Sequence, residues 1–128
     1  MIYKLEHEEI YKGYHLMVVF INAFRCGYVG LPKGHKYVGK HYDELDLDVH
    51  GGLTFSEHNH RLKKEGYEYY LGFDCAHFDD GADLKYMKEN GATLDEMMIY
   101  RHMDGEVRTK KYVLSELYNM VHQLEALK

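Results

Sequence analysis

The chain is expected to fold as an α+β domain: an antiparallel β-sheet with one helix packed across a face. Three observations carry this. The first third is rich in β-branched and aromatic residues broken by glycine turns. Residues 67–77 alternate strictly between two faces. Val113, Leu117, Met120, Leu124 and Leu127 recur at helical spacing to the end of the chain.

Taken in order, Glu9-Ile10-Tyr11 and Tyr14 to Phe20 flank Lys12-Gly13, a hairpin turn. Phe24 to Val29 is a further strand and ends in Gly30-Leu31-Pro32-Lys33-Gly34. Residues 34–42 read as an ordered loop, and a short strand Asp46–His50 is broken by Gly51-Gly52 before Leu53-Thr54-Phe55 resumes. Residues 56–66 read as a polar connector. In the strand 67–77, Tyr67, Tyr69, Leu71, Phe73, Cys75 and His77 share one face. Asp83 to Glu89 predicts a short helix stopped by Asn90-Gly91. Thr93-Leu94-Asp95-Glu96 has the capping-box pattern, and a final helix runs from about Thr109.

With 128 residues, 45% hydrophobic and 29% charged, the expectation is one domain over residues 1–128. No apolar run approaches the roughly 20 residues of a membrane span, and the mixed, acidic N-terminus lacks a signal-peptide core. The compartment expected is therefore cytoplasmic and reducing, where two cysteines serve as thiols or metal ligands rather than as a disulfide. A net charge of −5 argues against direct nucleic-acid binding and fits a basic protein partner. The 13 tyrosines suit half-exposed sheet faces and binding surfaces.

The sharpest chemical pattern is a candidate metal set. Cys75 and His77 form a Cys-x-His pair, His50 precedes two glycines, and Cys26 is the other cysteine. Cys26, His50, Cys75 and His77 together suit tetrahedral Zn2+, with small buried cysteines and solvated histidines as the plain alternative. The carboxylates Asp43, Glu44, Asp46, Asp48, Asp74, Asp79 and Asp80 read as a solvated acidic face or turn caps, with a divalent ion or acid–base chemistry as the alternative. Asp74, beside Cys75, could also orient a ligand histidine from behind. His58-Asn59-His60 reads as a solvated loop pair, because it runs into Arg61-Leu62-Lys63-Lys64 instead of further ligands, with a second or adventitious metal as the alternative. No Gly-x-Ser-x-Gly elbow accompanies His50-Gly51-Gly52, and Tyr11 stands where His-Glu-x-x-His would need its second histidine. Arg25, Lys33 and Lys36 with nearby glycines could meet the phosphates of a small signalling nucleotide, without a loop-to-helix phosphate motif to support it.

Cys26-Gly27-Tyr28-Val29-Gly30-Leu31-Pro32-Lys33-Gly34-His35, Tyr42-Asp43-Glu44-Leu45-Asp46, Asp48-Val49-His50-Gly51-Gly52-Leu53-Thr54, Gly72-Phe73-Asp74-Cys75-Ala76-His77 and the helix carrying Tyr112-Val113, Glu116-Leu117 and Gln123-Leu124 resemble a group of small proteins of bacteriophages and prophages, mostly of unassigned function. The chain also resembles small zinc-containing anti-CRISPR proteins that act on type II-A Cas9. The resemblance implies a structural Zn2+ on Cys26, His50, Cys75 and His77, no catalysis, and a role as a host-defence inhibitor that binds a protein such as Cas9 and blocks nucleic-acid loading. A zinc-dependent hydrolase and a signalling-nucleotide binder are the alternatives.

Overall fold

The computed structural model describes residues 1–127. Its main sheet has five antiparallel strands in the order β1-β2-β3-β5-β4. These are β1 (Tyr3–Tyr11), β2 (Tyr14–Ile21), β3 (Phe24–Gly30), β4 (Phe55–His58) and β5 (Tyr69–Asp74). Helices α1 (Leu84–Glu89) and α2 (Leu94–Tyr100) follow a two-residue strand, β6 (Asp80–Gly81). That strand pairs in parallel with β7 (Glu106–Val107), and the chain ends in α3 (Lys110–Ala126). The α+β expectation, with an antiparallel sheet and a C-terminal helix on it, is met.

Alternation along β2 divides the core. Leu16 and Val18 face α3, where they join Leu71, Phe73, Val113, Leu117, Met120 and Leu124, all buried. Met17 and Val19 face the other way, with Tyr28 and Tyr70, beneath Leu62 and Tyr67. A third cluster around Phe20 and Met87 seats α1 and α2 at one end.

The buried Arg25 is accommodated by a bulge. Register slips between Leu5 and His7, which aims Glu6 at Arg25 (2.7 Å), while Asp83 meets the guanidinium at 2.9 Å. Arg25 is therefore committed to structure, contrary to its expected availability for phosphates.

Three local expectations change. The stretch Asp46–Val49 has no ladder partner, and only Phe55–His58 of that region pairs, as the edge strand β4. Part of the expected connector 56–66 is thus strand, placed there by Phe55 packing on the Tyr28 ring at 5.1 Å. Strand β5 stops at Asp74, where the Asp74 carboxylate accepts the Ala76 N–H (3.1 Å) and turns the chain. Cys75 keeps the core-facing side, but His77 lies in a turn.

Helix α3 opens on Thr109, whose hydroxyl accepts the Tyr112 N–H at 3.1 Å. Thr109→Ala leaves that donor unsatisfied and is expected to cost about 1 kcal/mol. Urea denaturation reads this directly; a loss below ~0.3 kcal/mol would mean that solvent satisfies the helix end equally well.

Candidate metal centre

The turn after β5 brings His77 against two other segments. In the loop before β4, His50 is followed by Gly51 at φ +67°, a left-handed conformation. A Cβ on Gly51 would lie 2.2 Å from the His77 ring, so this position needs glycine for space as well as for backbone angle. The His-Gly-Gly and Cys-x-His motifs, distant in sequence, thus meet face to edge, with their imidazole centroids 5.5 Å apart.

Between the rings sits Asp80, which is fully buried. His50 Nε2–H donates to both its carboxylate oxygens at 3.0 Å. His77 donates through Nδ1 (3.1 Å) and through its backbone N–H (2.9 Å), both to Oδ2. Arg108 Nε donates to Oδ1 at 2.8 Å. Burial alone would push the Asp80 carboxyl upward, but these donors from His50, Arg108 and His77 outweigh it and hold it at about 2.

One nitrogen of each histidine and a carboxylate oxygen of Asp80 lie within 4.8 Å of one another. Two imidazoles and a carboxylate form a donor set that zinc accepts. Each ring also has a partner on its far side, the arrangement that orients metal-bound histidines. Tyr112 Oη lies 2.8 Å from His50 Nδ1, and Asp74 Oδ1 lies 3.8 Å from His77 Nε2. If a metal took the place of the proton on His50 Nε2 or His77 Nδ1, the neutral ring would carry its one proton on the opposite nitrogen, facing these oxygens. Charge favours a cation here, because Asp79, Asp80 and Glu106 share the single guanidinium of Arg108 and Asp74 lies beside His77.

Of the four residues expected to hold Zn2+, the fold brings His50 and His77 together and adds Asp80. Cys75 is buried beside them, in the α3-side core, with its thiol pushed up by burial and then by Asp80. Cys26 packs with the core on the opposite face of the sheet. Burial, followed by Asp74, pushes its thiol up to about 11, against a lowering hydrogen bond with Tyr28. Neither sulfur joins the ligand group among the described residues.

Asp80 is the residue sequence reasoning passed over, as one of many carboxylates in a Gly-bearing turn. Its signal is the spacing: it follows His77 by three positions, which a single turn closes. The pair His58 and His60 also departs from expectation. His58 is exposed on β4, but His60 is only 6% exposed, packed edge-on to Tyr28 at 4.4 Å.

The depressed Asp80 carboxyl sets an acid limit in the metal-free protein. Its folded value lies below the unfolded value of about 3.9, so its stabilisation is present above pH ~4 and is lost as pH falls toward ~2. The expected loss is on the order of 2 kcal/mol. Denaturation midpoints across the acid range should show it in the wild type and not in Asp80→Asn; equal acid slopes in the two would contradict it.

Comparison of this chain with family models, with curated proteins and with solved structures finds no match.

Proposed function

We propose that this chain is a non-catalytic binding protein clasped by Zn2+ at His50, His77 and Asp80. In its most specific form it is a phage-encoded inhibitor that occupies the surface of a host defence effector such as Cas9. The observation that carries the clasp is the convergence of two imidazoles on one buried carboxylate, each imidazole backed by an outer partner. The three ligands come from the loop before β4, the turn after β5 and β6, so an ion there pins the irregular loop that carries His50 to the turn after β5. Binding energy at such a site becomes folding energy.

Two surface features support action by occupation. Phe78, Leu94, Met98 and Ile99 are large apolar side chains left more than half exposed, three of them on α2. The net charge of −5 suits a partner that is basic, as a nucleic-acid channel is.

The test is guide loading, DNA binding and cleavage by Cas9 with excess zinc-loaded protein. Inhibition that falls when Met98 and Ile99 are changed to serine supports the reading; unimpaired loading and cleavage remove Cas9 as the target. A second reading follows from ligand count. Three protein ligands leave a fourth position for water, as in catalytic zinc sites. Hydrolysis of model ester or phosphoester substrates that depends on added zinc and disappears with His77→Ala would favour it over occupation.

A further inference from the structure

On the sheet face away from α3, a cleft of about 380 Å³ opens between β4 and the turn that follows it. Its walls include Tyr3, Tyr28, Phe55, Glu57, His60 and Arg61. It shares no residue with the His50, His77 and Asp80 group. The volume lies within the range that accommodates a small-molecule ligand.

We propose that this cleft binds a mononucleotide, with the heterocycle against the aromatic wall and the phosphate on Arg61. Three features select that chemistry. The wall is aromatic and ordered: the Tyr28 ring stands edge-on to Phe55 at 5.1 Å and to His60 at 4.4 Å. Aromatic side chains are the groups on which bases stack.

Arg61 supplies the anion contact. Its guanidinium lies 3.8 Å from the Tyr3 ring centroid, a stacked position that fixes an otherwise mobile side chain at the cleft. Among the described residues no carboxylate pairs with it, unlike Arg25 and Arg108. An unpaired, ring-stacked guanidinium is suited to recognise phosphate.

His60 supplies a directional donor. Its Nδ1 accepts the Leu62 N–H at 3.0 Å, so the neutral ring carries its proton on Nε2. Burial, together with the charges of His15 and Arg61, favours that neutral form. His60 lines the cleft, and its Nε2 is neither hydrogen-bonded among the described residues nor sealed from solvent. A heterocycle ring nitrogen or carbonyl oxygen would satisfy it, and Glu57 at the margin can accept from an exocyclic amine. A single phosphate matches one guanidinium, whereas the chain's negative charge disfavours a longer polyanion.

The test is a titration of the folded full chain, followed by backbone amide NMR, with AMP, GMP, CMP and UMP. Adenosine and ribose 5-phosphate serve as base-only and phosphate-only arms. At least one nucleotide should give saturable shifts at Tyr28, Phe55 and Arg61, with tighter binding than either partial ligand. Arg61→Ala, an exposed substitution expected to leave the melting temperature unchanged, should weaken it roughly tenfold. The proposal is overturned if none of the four nucleotides shifts these residues at millimolar concentration, if Arg61→Ala binds as the wild type does, or if ribose 5-phosphate binds as tightly as the best nucleotide.

Discussion

Asp80→Ala is expected to destabilise the protein by about 3–5 kcal/mol, the largest effect of any single change at this site. The carboxylate is fully buried and is the common acceptor for His50, His77 and Arg108. Its removal leaves the donors of two imidazoles and a guanidinium facing one another without an anion. Arg108 is the worst placed of the three, because its remaining partners, Asp79 and Glu106, are largely exposed. Removing the guanidinium as well, in Asp80→Ala with Arg108→Leu, should therefore recover a substantial part of the loss. Urea denaturation of the four proteins of this cycle measures the coupling directly. A loss below ~1 kcal/mol for Asp80→Ala would show that solvent reaches the site and replaces the carboxylate.

Gly51→Ala is expected to cost about 3 kcal/mol and to abolish metal binding. Its left-handed backbone charges a side chain roughly 1–2 kcal/mol, and the new Cβ would meet the His77 ring at 2.2 Å. The ring must then leave Asp80, losing a buried charged hydrogen bond worth ~1–3 kcal/mol. Gly13 supplies the control, because its φ is +84° but a Cβ there meets nothing within 4 Å. Gly13→Ala should show the backbone cost alone, with metal binding intact. Equal melting temperatures for the two variants would refute a specific fit between Gly51 and His77.

Most of the fold was legible in the sequence because local pattern and tertiary placement agree. The Thr93 capping box, the Asn90-Gly91 stop and the α3 stripe of Val113, Leu117, Met120 and Leu124 all form where their chemistry dictates. The sheet was legible in β2 as an apolar run buried on both faces and in β5 through its alternation. What escaped notice depends on contacts between distant segments. Strand β6 has only two residues and forms because β7 lies beside it, with Gly81 and Gly105 permitting close backbone approach. No periodicity marks an element that short.

The site divides in the same way. His50 and His77 were legible as candidates, since glycine neighbours and a tight Cys-x-His spacing set them apart. Alternation suggested that Cys75 and His77 share a face, but the Asp74 side chain closes a turn that rotates His77 toward Asp80. Cys26 alternates with Arg25 and Gly27 along β3 and so falls on the face opposite Cys75. That outcome depends on β3–β5 register, which pairs Cys26 with Asp74 and is not encoded by either segment alone.

The most direct test of the metal clasp is elemental analysis of untagged protein after exhaustive dialysis, comparing wild type, His77→Ala, Asp80→Asn and Cys26→Ser. Stoichiometric zinc in the wild type and Cys26→Ser, lost in His77→Ala and Asp80→Asn, is the predicted result. Zinc that survives in His77→Ala and Asp80→Asn, or a wild type holding no stoichiometric metal, would contradict it.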